Sequence, residues 1–155
     1  MFWKLRGKAY DEARVYETRQ MHKSIVDSGT STGLLAYHHG EVVGWIAVEP
    51  RSAYPKLAHS RALKPVDNQP VWSVTCFFVA KKFRKKGLTV ELLKAAVEYV
   101  KSNDGTIVEG YPVDAKKDVA APFAFTGTAS AFQHAGFKDV ARNTSTRPIF
   151  RFNIK

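Results

Sequence analysis

From Val71 to Val113 the chain reads as an apolar run, a basic turn with one glycine, an amphipathic stretch and a second apolar run. Few folds accept that order. The first run, "VWSVTCFFVA" at 71–80, is unbroken and rich in β-formers, as a strand buried on both faces is. Leu88–Lys101 then places Leu88, Leu92, Ala95 and Tyr99 at helical spacing, with Leu93, Ala96 and Val100 widening the stripe. Glu91, Lys94, Glu98 and Lys101 share the opposite face, where neighbours of opposite sign pair. "SNDG" ends this helix, and Thr106–Val113, "TIVEGYPV", reads as another strand. A helix between two strands predicts a parallel pair with a right-handed crossover.

The remainder fits around this unit. Asp11 is expected to cap a helix running to Ser28, with Gly29 as its stop. Leu34–Tyr37 and Val42–Val48 read as two strands joined by a turn at His39-Gly40. The polar, proline-bearing stretch 49–70 predicts a loop with a short helix near Tyr54–Ser60, and a loop this long in a compact domain is often functional. Thr126–Ala135 reads as a short helix stopped by Gly136. Phe137–Asn143 and Arg147–Ile154 read as a closing pair of strands. In the last, Pro148, Phe150, Phe152 and Ile154 alternate with Arg147, Ile149, Arg151 and Asn153, the period of a sheet with two distinct faces. No stretch resembles a long linker, so one α/β (α+β) domain over residues 1–155 is expected.

Composition narrows the function. The chain has 155 residues, 45% of them hydrophobic, which suits a real core. Its one cysteine, Cys76, rules out an intrachain disulfide framework and a multi-cysteine metal site. Cys76 lies among apolar residues with no histidine nearby in sequence, so it reads as a small core residue rather than a nucleophile. The histidines lack metal-ligand spacing, so no metal is expected. No apolar run approaches the ~20 residues that span a bilayer, and residues 1–14 lack a signal peptide's pattern. The expectation is a soluble, cytoplasmic protein with no membrane partner. A formal net charge of +10 is met either by a solvated basic surface or by an anionic ligand, with nucleic acid and a polyphosphate cofactor as the two candidates.

The basic turn favours the cofactor. Lys81, Lys82, Arg84, Lys85 and Lys86 crowd the connection from strand to helix, and Gly87 follows. The first amides of a helix have no internal partners and point outward. With the positive end of the helix dipole they form an anion site suited to a pyrophosphate. The turn is neither a Walker A loop nor a dinucleotide fingerprint.

Val79 followed by Arg84-Lys85-Lys86-Gly87-Leu88-Thr89 resembles the acetyl-CoA signature of the GNAT superfamily of N-acetyltransferases, Arg/Gln-x-x-Gly-x-Gly/Ala between a strand and a helix. Thr89 stands where Gly or Ala is usual. The strand and helix order matches nearly the whole chain, although the usual first strand is short or missing. The late Ala129…Phe132…Gly136-Phe137 resembles the family's final helix and strand. "GLLAYHHGEVVGWIAVEPR", "PVWSVTCFFV" and "VEGYPVD" further resemble a largely uncharacterised bacterial branch.

The resemblance implies a mixed central sheet flanked by helices, with splayed parallel central strands and acetyl-CoA in the wedge. The pantetheine is implied on the backbone of Phe77, Phe78 and Val79, and the pyrophosphate on Arg84, Lys85, Lys86, Gly87, Leu88 and Thr89. The acceptor is implied to be a primary amine, most simply of a small molecule such as an aminoglycoside-like antibiotic. A protein or aminoacyl-tRNA acceptor, and a non-catalytic acyl-CoA-binding module, are the alternatives. A homodimer is compatible with either. The amine must lose a proton, and a carboxylate in an apolar strand is costly unless paired or functional. Glu109 is therefore the expected base, with pairing to a buried arginine as its structural alternative. Glu49 and Asp67 are further candidates, as base or as ammonium ligand, and Arg51 either holds an anionic group of the acceptor or makes a structural salt bridge. The family often places a general-acid tyrosine where this chain has Phe132, so Tyr111, on the Glu109 face, is the expected substitute.

Overall fold

The computed structural model describes residues 2–5, 7–13, 15–114 and 124–155. Two helices, α1 (Lys8–Glu12) and α2 (Val15–Asp27), precede strands β1 (Leu34–His38) and β2 (Glu41–Pro50). A 3-10 turn and the short helix α3 (Pro55–Ala58) lead to β3 (Trp72–Val79). Then come α4 (Leu88–Ser102), β4 (Ile107–Gly110), α5 (Ala129–His134), β5 (Lys138–Ala141) and β6 (Ile149–Asn153). The strands form one six-stranded mixed sheet in the order β1-β2-β3-β4-β6-β5. The predicted crossover is present: β3 and β4 are parallel with α4 between them, and the other pairings are antiparallel.

α4 covers one face of the sheet. Its stripe of Leu92, Leu93, Ala96, Val97 and Val100 packs on Ile46, Val48, Val74 and Val108. Each such large apolar side chain contributes about 1.5–3 kcal/mol on burial. Phe132 of α5 completes this layer and is fully buried against Phe77, Phe137 and Phe150. The opposite face carries a second cluster of Tyr54, Leu57, Leu63, Tyr111 and Ile149, with Trp3 packed against it. β6 divides as its alternation predicts, with Phe150 and Phe152 towards α4 and Ile149 in the second cluster.

Two features open the centre of the sheet. The β3–β4 pairing covers only Trp72↔Val108, Ser73↔Glu109 and Val74↔Gly110, while β3 runs on to Val79. β4 is thus shorter than the Thr106–Val113 expected. Pro112 has no N–H to donate to a ladder, and Val113 makes only an isolated bridge to Thr128. β3 is accordingly buried on both faces only at its start: Ser73, Val74 and Thr75 are buried, whereas Phe78 is 52% exposed. The second feature is a bulge in β3. Ala47 pairs with Cys76 and Val48 with Val74, leaving Thr75 as the extra residue. Thr75 and Cys76 consequently turn towards the same side of the sheet, opposite α4.

The N-terminal segment differs from the single helix expected. Ala13, at φ −69° and ψ 115°, breaks it into α1 and α2, and Asp11 lies inside α1 rather than capping. The uneven periodicity has its counterpart in poor burial, since Tyr16, Met21 and Val26 of α2 are exposed.

Gly110, the last residue of β4, marks where the strands part. A Cβ there would lie 2.1 Å from Cε1 of Phe132, so only glycine lets this ring reach the backbone. Gly110→Ala is expected to destabilise the fold by about 1–3 kcal/mol through overpacking, read from urea unfolding. Phe132→Leu should recover part of that loss in the double variant. A neutral Gly110→Ala would disprove the close approach.

Candidate active site

The anion site expected at the start of α4 falls on an uncapped helix N-terminus. Gly87 is its N-cap in a left-handed conformation, φ 82°, and no side chain caps the first amides. α5 differs, because Thr128 Oγ1 there accepts from the Ala131 N–H. A Cβ at Gly87 would meet no protein atom within 4 Å, so this backbone faces open space. Arg84 Nε donates to the Val79 carbonyl at 3.0 Å, tying the turn to the end of β3. Lys81, Lys82, Lys85 and Lys86 are exposed, and no ion pair with a described carboxylate neutralises them. Outward amides, a helix dipole and uncompensated cations fit a pyrophosphate. On the β3 edge beyond Val74, the Phe77 N–H donates to the Phe125 carbonyl at 2.7 Å. Phe78 and Val79 pair across to Trp45 and Gly44 of β2.

Glu109 has a different setting from the one expected for a base. It is 0% exposed. Arg51 Nη1 donates to its Oε1 at 2.8 Å, and Tyr111 Oη donates to the same oxygen at 2.7 Å. Arg151 Nε donates to Oε2 at 2.7 Å. Arg151 also forks onto Asp67, with Nη1 to Oδ2 at 2.6 Å and Nη2 to Oδ1 at 3.2 Å. That bond holds the Asp67 carboxyl down at about 2, below its usual value. Because Tyr111 donates to Glu109, the Ser73 hydroxyl, 2.8 Å away, must donate to Tyr111. Burial and the Glu109 charge push the Tyr111 phenol well up, so it stays protonated. Arg51, Asp67, Glu109 and Tyr111 therefore form one closed network. Both Glu109 oxygens are engaged, and the fully buried side chain lines none of the cavities described for this face, so it has no open approach for a substrate proton. The structural alternative for Glu109, pairing with a buried arginine, describes what is observed, and Arg51 is spent in the same network.

Glu49 is placed otherwise. It shares the face of β2 with Trp45 and Ala47, and these three line a cavity of ≈ 120 Å³ together with Tyr54, Thr75 and Cys76. Lys4 Nζ donates to Glu49 Oε2 at 2.6 Å. Glu49 Oε1 and the Tyr54 hydroxyl are both buried without a hydrogen-bond partner of good geometry, which is costly unless the site is used. Burial, then the Glu49 charge, pushes the Tyr54 phenol up, so it keeps its proton. Burial likewise pushes the Cys76 thiol up, away from the reactive thiolate. Trp3 crosses this site, its Nε1 donating to the Thr75 carbonyl at 3.0 Å. Tyr54, Lys4 and Trp3 are members of the site that sequence reasoning misses. The length of the loop 49–70 points to function, but nothing local distinguishes Tyr54 from a packing aromatic.

An open mixed sheet whose central parallel strands part above an uncapped, basic helix start is the architecture of the acetyltransferase class. The chain belongs to the Acetyltransferase (GNAT) family, whose model matches residues 1–121. No curated protein matches it in sequence. Among solved structures, an acetyltransferase described as of the GNAT family from Desulfovibrio desulfuricans superposes with a TM-score of 0.60 at 18% identity, covering 92% of this chain and 84% of that one. A ribosomal-protein-alanine N-acetyltransferase from Brucella melitensis gives 0.56 at 13%, covering 92% and 80%. An aminoglycoside acetyltransferase, AAC(6′)-Ib, with coenzyme A and kanamycin gives 0.51 at 18%, covering 77% and 64%. Identities this low establish the shared fold. Among the described residues, no helix is long and apolar enough to cross a membrane, and no cluster of metal-binding side chains is present.

Neutralising Glu109 leaves two guanidinium groups short of their counter-charge. Glu109→Gln is expected to cost about 3 kcal/mol or more of stability, as removing one partner of a buried ion pair does. Chemical denaturation measures it. A variant with wild-type stability but collapsed turnover would return the base role to Glu109.

Proposed function

We propose that the protein transfers the acetyl group of acetyl-CoA to a primary amine, with Glu49 as the base. The reading rests above all on one juxtaposition. The wedge that opens between β3 and β4 beyond Val74 borders, through Thr75 and Cys76, a cavity whose buried carboxylate oxygen lacks a hydrogen bond of good geometry, while the basic start of α4 follows the end of β3.

Acetyl-CoA supplies a thioester, at whose acyl carbon the new C–N bond forms as the C–S bond breaks. In this reading the amides of Leu88 and Thr89 bind the pyrophosphate, and Arg84, Lys85 and Lys86 add charge around Gly87. The β3 edge at Phe77–Val79 holds the pantetheine. Glu49 Oε1 takes the proton of the acceptor ammonium, while Lys4 on Oε2 fixes the carboxylate's orientation. The Tyr54 hydroxyl, protonated and in the same cavity, donates to developing negative charge. Among small-molecule amines, one of low positive charge is favoured over a polycation such as an aminoglycoside, because no acidic patch forms among the described residues. Glu109 and Asp67 are bound by arginines, Asp114 pairs with Arg142 and Glu49 with Lys4.

Coenzyme A should raise the melting temperature, as any native-state ligand does. Gly87→Val should remove most of that rise by filling the space before the α4 amides. Its left-handed φ will lower the variant's own melting temperature, so the rise is the readout. A rise of wild-type size would place the cofactor elsewhere.

Glu49→Gln should reduce turnover with amines by about 10²–10⁴-fold and change coenzyme A affinity little. The deficit should narrow as pH climbs towards the amine's own value near ~10, where deprotonation needs no help. Thiol release against pH is the measurement, and wild-type rates at neutral pH would remove Glu49 from the mechanism.

A further inference from the structure

We propose that the acceptor is an amine that also bears an anionic group on an apolar body, held in a second, cationic pocket beside the Glu49 cavity. This rests on the acetyltransferase reading above.

The second pocket measures ≈ 520 Å³, within the ~300–1,000 Å³ usual for small-molecule sites. It shares Phe2, Trp3 and Phe125 with the Glu49 cavity, so the two adjoin across these side chains. Those three aromatics give it apolar walls. Its charged lining is cationic: Lys56 and Arg147 contribute to it beside His59 and Ser60, and no aspartate or glutamate among the described residues does.

Arg147 is the telling residue. Among the described residues, three arginines are buried or half-buried: Arg51, Arg147 and Arg151. Arg51 and Arg151 are each held by carboxylates. Arg147 has no carboxylate partner among the described residues, and its Nη1 donates to the Thr126 hydroxyl at 3.0 Å. Burial lowers its pKa, the mark of a guanidinium that has lost water without gaining a counter-charge. A guanidinium carries five donors in a planar fork, so most remain for a planar carboxylate. Lys56 lies on the same pocket, its Nζ 3.4 Å from the centre of the Phe2 ring. A ligand with a carboxylate at Arg147 and Lys56 and an apolar body along Phe2, Trp3 and Phe125 would point its other end towards Glu49. Glu49 is the one carboxylate among the described residues lining the two cavities; Lys4 holds its Oε2, and Oε1 is left to accept from an amine. A polycation such as kanamycin would instead meet Lys56 and Arg147 as like charges.

Calorimetry on the full chain with coenzyme A present tests this without requiring turnover. Two matched pairs serve as probes: L-phenylalanine against L-phenylalaninamide, and 4-(aminomethyl)benzoate against 4-(aminomethyl)benzamide. In at least one pair the carboxylate should bind on the order of ten- to a hundredfold more tightly than its amide, the range of a charge-assisted hydrogen-bond pair. Arg147→Met should bring that ratio near one, and Arg147→Lys should keep part of it. Lys56→Gln should reduce the ratio independently, so a misfolded Arg147 variant does not remove the test. Equal affinities within both pairs, a ratio indifferent to Arg147→Met and Lys56→Gln, or tighter binding of kanamycin would each overturn the proposal. If the carboxylates bind as expected but no thiol is released from acetyl-CoA, the pocket stands and the transferase reading fails.

Discussion

The sheet opens where it does because a buried ion pair holds it shut one residue earlier. Glu109 of β4 stands opposite Ser73 of β3 and Arg151 of β6. Its carboxylate gathers Arg51 from the end of β2, Arg151 and Tyr111, while Asp67 closes the far side of Arg151. Four strands are thus tied at one level. The next pair, Val74↔Gly110, is the last, and beyond it the strands separate. On the opposite face the Phe132 ring presses on Gly110. The wedge therefore has a fixed hinge, with an ionic clamp beneath and an aromatic stop above. Such a clamp contributes little net stability against a well-packed apolar alternative. What it supplies is register: slipping β4 by one residue would bury Glu109 among the apolar side chains under α4.

This economy of carboxylates also shapes the surface. The acidic residues nearest the site each pair with an arginine or lysine, and of these only Glu49 keeps a carboxylate oxygen without a well-formed bond. Two concentrations of positive charge stand out near the site, the α4 turn and the pocket around Arg147. One is a shell of exposed lysines around helix amides, suited to a mobile polyphosphate. The other is a half-buried guanidinium among aromatics, suited to one planar anion. A single net charge of +10 hides these two different settings.

The crossover is legible in the sequence because its signals are local. Each of β3, the basic turn and α4 declares itself within about ten or fifteen residues, and together they carry the family resemblance. The turn at His39-Gly40, the short helix α3 and the two faces of β6 are readable for the same reason. The role of Glu109 is not. Its partners lie 58 and 42 positions away, and no pattern announces that two arginines will converge on one carboxylate. Glu49 is equally ambiguous, since its value depends on a bulge at Thr75 and on Tyr54 and Lys4 arriving from other segments. The break at Ala13 has no clear signal because α2 buries too little to impose a period.

Phe125 links the two halves of the site. The β3 edge beyond Val74 has no strand beside it among the described residues, and an unpaired buried amide costs about 1–3 kcal/mol. The Phe125 carbonyl satisfies the Phe77 N–H. Its ring meets Phe2 edge-on, with centroids 5.9 Å apart, and lines both the Glu49 cavity and the Arg147 pocket. Under the proposed reading, a pantetheine amide on β3 takes the place of that carbonyl. Exchanging one amide hydrogen bond for another is nearly neutral in energy, so the edge opens at little cost. The displacement also moves a wall of the acceptor cavities. Cofactor and acceptor then act on one shared residue, and any effect of the first on the affinity of the second must be returned in equal measure.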